Sequence, residues 1–303
     1  MVHHISPLLI PPRIALLGVL LASVGFGLVP LFARGLTDGG MAPHAIAFAR
    51  YIVATLAFSP ALFAIGRDQI GAALWGAGAG AAMGVGWIGY VAALKSAPVA
   101  SVSVLYMTYP VFTLLIGKYA FGDRPQSRAW VAALIILAAA ALAIGPGSVP
   151  VTLWPVLALS LAAPAGFGMG INVLVHKLVG LPALTRVACV TSGSVIGLLP
   201  LVVTTPVGDL APDTANGWWL VAGIALGSAL IPQLIYTVCA PVIGTARTAI
   251  AGSVELPTML MIGWLALGEH VGLAQWVACV MVVGAIALTP RPRAISAGLG
   301  KPD

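Results

Sequence analysis

The chain has 303 residues, of which 60% are apolar and only 7% charged, and its mean hydropathy is +1.06. Soluble domains carry roughly 25% charged residues, so this balance excludes a soluble globular enzyme. The net charge of +6 falls on short breaks between apolar runs, where it reads as an orientation signal rather than a nucleic-acid footprint.

Apolar runs of about 20 residues match a hydrocarbon core of roughly 30 Å. Ten such spans are predicted, over 14–33, 44–65, 70–94, 98–118, 128–145, 151–175, 183–204, 217–239, 244–267 and 271–289. No short apolar core with a small-x-small cleavage pattern precedes the first span, so no cleaved leader is expected. Span 1 holds Gly25-Phe26-Gly27 and Pro30. Span 2 carries Arg50 roughly two turns in; it can bind a substrate carboxylate, or reach the outer interface and pair with Asp38. Span 3 has Gly76, Gly80 and Gly84 at the small-xxx-small spacing that lets helices approach closely, a spacing repeated by Gly193 and Gly197 in span 7. Trp87 and Tyr90 end span 3 three residues apart, on one helix face, and Tyr106 and Tyr109 do the same in span 4. A Gly122-Asp123 turn leads into span 5, and span 6 brings Gly166-Phe167-Gly168 and the deep amide Asn172, which lines a cavity or makes a helix contact. Gln233 and Tyr236 repeat the three-residue spacing in span 8. The competing role for all these polar aromatics is an interfacial belt. His44 and His176 lie near span ends and read as interfacial side chains.

Span 9 contains Glu255, about eleven residues in, or roughly 16 Å at the helical rise. An ionisable group at that depth is costly and marks function by default. Glu255 can take up and release a proton or bind a substrate amine; alternatively it is neutral and hydrogen-bonded across a helix contact near Ser253. Pro30, Pro110, Pro164, Pro232 and Pro257 sit mid-span and predict kinks. Cys189, Cys239 and Cys279 fall inside spans and read as small buried hydrophobes, with neither a disulfide nor a metal expected.

An offset of 146 residues lays Leu114–Leu142 on Leu260–Leu288, where Gly117, Gly122, Trp130, Val131 and Ala132 meet identical residues and Asp123 meets Glu269. The same offset pairs Tyr90 with Tyr236 and Tyr109 with Glu255. The repeat is five spans long, and an odd number inverts the second copy. Inverted repeats are a transporter architecture with the solute site near the midplane. With both termini placed in the cytoplasm, Arg13, Arg67, Lys118, Arg124, Arg128, Lys177, Arg186, Arg247, Arg291, Arg293 and Lys301 lie inside, against Arg34 and Lys95 outside. That asymmetry satisfies the positive-inside rule.

Tyr90-Val-Ala-Ala-Leu-Lys-Ser-Ala-Pro-Val-Ala-Ser, Tyr109-Pro-Val-Phe and Phe121-Gly-Asp-Arg together resemble the first-half signature of EamA-type proteins of the drug/metabolite transporter superfamily. Gly252-Ser-Val-Glu255 and Leu267-Gly-Glu-His resemble its second-half counterpart, and Arg50 stands where the family usually has arginine. Asp123 replaces the usual Glu, and Leu256 replaces the Pro that usually follows the span-9 Glu. The resemblance implies an all-α membrane protein of ten helices in two inverted halves, 1–146 and 147–291, with a cytoplasmic tail over 292–303. It also implies export of small metabolites such as amino acids across a bacterial inner membrane.

No phosphate-binding loop, GxSxG or HExxH is present. The expectation is therefore a secondary carrier without cofactor or metal, whose partners are a small solute and the lipid bilayer, and not nucleic acid. Deep cations for a phosphorylated solute are lacking, Arg50 apart, which favours zwitterionic or neutral solutes. Trp87, Tyr90, Tyr106, Tyr109, Asn172, Gln233, Tyr236 and Glu255 are the expected solute-binding residues, with Glu255 also coupling to protons. A multidrug or toxic-compound exporter is the alternative on the same fold; a non-transporting scaffold or lipid enzyme is the alternative of another class.

Overall fold

In lipid every backbone N–H and C=O must find its partner within the protein, which leaves helices or closed barrels as spanning structures. The computed structural model describes residues 10–96, 105–144, 151–268 and 272–288, and these form helices with no strand among them. The Glu269 position, the first part of span 4 and the tail over 292–303 lie outside the described residues. In chain order the helices are α1 (Pro12–Gly27), α2 (Val29–Asp38), α3 (Pro43–Phe58), α4 (Ile70–Ser96), α5 (Tyr109–Ala120), α6 (Ser127–Ile144) and α7 (Trp154–Ser160). Then come α8 (Ala162–His176), α9 (Ala183–Val203), α10 (Ala215–Ala222), a π-helical stretch (Gly223–Leu230), α11 (Ile231–Ile243), α12 (Thr245–Gly252), α13 (Glu255–Ala266) and α14 (Leu273–Ala287). Six stretches among the described residues are long and apolar enough to cross a bilayer, and α6 and α14 are shorter apolar helices.

The mid-span prolines locate the breaks. Proline lacks an N–H and its ring collides with the carbonyl four residues back, so it fits best in the first turn of a helix, although Pro200 and Pro241 lie inside α9 and α11. Pro30, Pro110, Pro164, Pro232 and Pro257 all stand at the second or third position of a new helical segment, in α2, α5, α8, α11 and α13. Span 2, expected to run to residue 65, instead leaves the α-helix at Phe58 and closes with a 3₁₀ turn over Ser59–Leu62, where Pro60 ends the α-helical ladder.

Glycine governs the closest packing. A β-carbon on Gly80 would overlap the Val190 carbonyl oxygen, and one on Gly193 would overlap that of Ala77. The α4–α9 crossing is thus a backbone-to-backbone contact, reinforced by the Ser194 hydroxyl donating to the Gly80 carbonyl at 3.1 Å. Helix pairings recur as couples: α1 lies on α11 as α4 lies on α8, and α5 meets α8 as α1 meets α12 and α13. The φ angles of Gly122 and Gly268, which the 146-residue offset aligns, are +74° and +67°. Both turns therefore use the left-handed conformation that glycine alone adopts without penalty.

Candidate functional site

Side chains of α1, α4, α5, α8 and α11, with Tyr106 just before α5, form a connected row of rings. Trp87 and Tyr90 touch edge to face at 4.9 Å between centroids, Tyr90 meets Tyr106 at 5.9 Å, and Tyr106 meets Tyr109 at 5.8 Å. The row continues from Tyr109 to Phe167 at 4.9 Å, from Phe167 to Tyr236 at 6.3 Å, and from Tyr236 to Phe26 at 5.7 Å. It ends at Arg50, whose guanidinium carbon lies 5.6 Å from the ring centroids of both Phe26 and Tyr51. Five of the eight expected solute-binding residues thus join one surface fed by both halves. Such edge-to-face contacts each add about 0.5–1.5 kcal/mol beyond area burial, so the row is also a stiff wall.

Glu255 stands beside this wall. It is the first residue of α13, just as Tyr109 is the first residue of α5, so the equivalence read from the offset is also an equivalence of place. The N-terminus of a helix favours an anion. Glu255 is 2% exposed, and its Oε1 has no hydrogen-bond partner among the described residues. It lies within electrostatic reach of Tyr106, Tyr109, Tyr236 and Arg50. The Tyr236 hydroxyl and Ser23 Oγ are likewise buried without a partner. The Tyr109 hydroxyl lies against Gly252 and Ser253 without meeting hydrogen-bond geometry. Gly252 makes that approach possible, since a β-carbon there would overlap the tyrosine oxygen and lie 3.7 Å from Ser23 Oγ. Buried polar atoms without partners cost about 1–3 kcal/mol each, and a cluster of them is the signature of a place where a polar solute or water completes the bonding.

Arg50 has turned inward. Asp38, its expected interfacial partner, pairs with Arg34 at 3.5 Å on the surface, while Arg50 stays over Phe26 with its Nε buried and unbonded. Gln233 and Tyr236 line a cavity of about 20 Å³ with Phe167, Met83 and Val190. That is room for about one water, so the wall is drawn closed in this conformation. A larger groove of about 480 Å³ between α4 and α8, lined by Gly71, Trp75, Gly78 and Met169, is almost wholly apolar and holds no ionisable group.

Asn172 belongs to a different cluster. Its amide donates to the Thr113 carbonyl at 3.0 Å and to the Gly168 carbonyl at 2.8 Å, bridging α8 to α5. Next to it, His176 Nε2 meets Asp123 Oδ1 at 2.9 Å, and the Thr245 hydroxyl donates to Asp123 Oδ2 at 2.7 Å. The sequence reading gave His176 an interfacial role and Thr245 none, and it flagged Phe26 and Phe167 through the Gly-Phe-Gly repeat without making them site residues.

A solved structure described only as the crystal structure of a protein superimposes on 91% of this chain and 96% of its own with a TM-score of 0.73, at 17% identity. At that identity the likeness is one of fold. No curated protein matches the chain. Residues 13–145 match the EamA-like transporter family; with six stretches among the described residues long and apolar enough to cross a bilayer, the chain is a multi-pass integral membrane protein.

Proposed function

We propose that the protein is a secondary carrier that exports amino acids or related small zwitterionic metabolites by alternating access between two inverted five-helix halves, 1–146 and 147–291. The observation that carries this reading is Glu255: a buried carboxyl with an unbonded oxygen, at the head of a half-helix, beside a ring wall that ends in an inward-facing guanidinium. A zwitterion carries one group for each end of that arrangement, an amine for Glu255 and a carboxylate for Arg50. The rings cover whatever side chain lies between. Half-helix termini that aim at a central solute are a transporter device. The paired left-handed glycines and the exchange-related helix contacts support the inverted halves.

The test is counterflow of labelled amino acids in proteoliposomes, with a panel of neutral, acidic and aromatic solutes. The expected result is saturable exchange of at least one zwitterion. A second reading, export of bulky organic cations, is favoured by the same rings and carboxyl, since cations bind over aromatic faces. It predicts protection against such cations in a growth assay and no amino-acid counterflow. Absence of flux with every solute would favour a scaffold or lipid enzyme instead.

A further inference from the structure

The Asp123 cluster lies where three helical segments converge. Asp123 stands on the turn after α5, His176 is the last residue of α8, and Thr245 is the first residue of α12, following Gly244 with its φ of +80°. Followed the other way, these segments lead to Tyr109 at the start of α5, to Phe167 in α8, and through α12 to Gly252 and Glu255. At the helical rise each path is roughly 14–16 Å long. The three segments are therefore pinned together at one end, and Glu255 and the ring wall lie toward the other.

The pin is saturated. Asp123 spends one carboxylate oxygen on His176 and the other on Thr245, and its backbone N–H donates to the Gly117 carbonyl at 2.8 Å. His176 Nδ1 meets the Asn172 carbonyl at 2.9 Å. Both ring nitrogens therefore face oxygen atoms, the Asn172 carbonyl on one side and the Asp123 carboxylate on the other. Phe121 stacks on the imidazole at 4.9 Å. The neighbouring cations are turned to other partners: Lys118 lies 5.1 Å over Tyr119 and Lys177 lies 5.4 Å over Trp75. Gly117 leaves space for the arrangement, because a β-carbon there would come within 2.9 Å of both Asn172 Oδ1 and Asp123 Oδ2. Asp123 belongs to the first half, and His176 and Thr245 belong to the second.

We infer that Asp123, His176 and Thr245 form a latch between the halves that closes the Glu255 site from one side of the membrane and releases when that side opens. The inference rests on the carrier reading, since a latch has work only where the site is reached from the two sides in turn. Its contacts are few, polar and at a helix-terminal position, so they can part without dismantling the apolar core.

The test places a reporter just inside the latch. Thr248 is fully buried, one turn deeper than Thr245 on α12. Thr248→Cys is made in a chain whose Cys189, Cys239 and Cys279 are alanine, and vesicles of each orientation are treated with a membrane-impermeant maleimide. Asp123→Ala and Thr245→Val, separately, are expected to speed labelling from the Asp123 face by roughly tenfold or more, the shift that loss of a charge-assisted hydrogen bond produces. Labelling from the opposite face is expected to stay unchanged or slow down. Labelling at the parent rate in both variants would overturn the latch, and so would an equal rise from both faces, which reports general loosening. The readout needs no solute, so a failed latch and a failed carrier reading are scored separately.

Discussion

On the carrier reading Glu255 and Arg50 serve the two ends of one solute, and each has a substitution that separates chemistry from packing. Glu255→Gln preserves shape and offers both a donor and an acceptor, so the protein is expected to insert and purify as before. Counterflow, or its dependence on a pH gradient, is expected to be lost; wild-type flux with unchanged pH dependence would show that Glu255 only packs. Arg50→Lys keeps the charge but loses the planar guanidinium that lies 5.6 Å from the Phe26 and Tyr51 ring centroids, and arginine and lysine are not equivalent beside aromatic rings. The expectation is a rise in the half-saturating concentration of a zwitterion by about tenfold, with a smaller effect on maximal rate, measured in the same vesicles. Glu255 was legible in the sequence because an acid amid apolar residues stands out at any depth. The inward turn of Arg50 was not, because its choice between Asp38 and the rings depends on Arg34, one helix away, claiming Asp38 first. His176 was hidden for the same reason: a histidine near a span end gains meaning only when the fold delivers Asp123 to it.

Proline and glycine divide the labour among the elements. Prolines fix where spans break, and the breaks deliver Tyr109 and Glu255 to the head of half-helices. Glycines fix how near the helices stand, and the α4–α9 crossing depends on Gly80 and Gly193 most of all. Alanine at either position forces two backbones apart. We expect Gly80→Ala and Gly193→Ala each to cost about 1–3 kcal/mol and to lower the melting midpoint of the detergent-solubilised protein. Gly71→Ala, which faces open space, is the control and is expected to leave the midpoint within error. Spans and kinks were legible because apolar length and proline act locally. The precise helix ends were not: α3 stops at Phe58 since Pro60 acts on the turn before it, whereas hydropathy continues to residue 65.

At the scale of the whole molecule, the two ends of the bundle are closed by different chemistry. The Asp123 end carries an acid, a histidine and a threonine in one cluster. The other end is held by His44 bonding to the Thr205 hydroxyl and by the Ala42 N–H donating to the Asp209 carbonyl at 2.8 Å. Arg124, Lys177 and Arg186 lie at the Asp123 end, and Asp209 and Asp213 at the other. Arg186 also bonds the Leu181 and Val179 carbonyls at 2.7 and 2.6 Å, so at least one of these cations shapes its loop as well as orienting the chain. By the positive-inside rule the Asp123 end is the one expected in the cytoplasm. Ten spans, an even number, would then return the chain to the side from which it began. A reporter active only in the cytoplasm should work when fused after Asp303 or after Val179, and should fail when fused after Asp213, whereas a reporter active only outside should show the reverse pattern. Activity outside after Asp303 together with activity inside after Asp213 would turn the molecule over and make the latch the external closure. A mismatch between Asp303 and Val179 would instead break the even count and, with it, the case for two five-span halves. Fusion at these three sites therefore tests orientation and span number independently, before any solute is known.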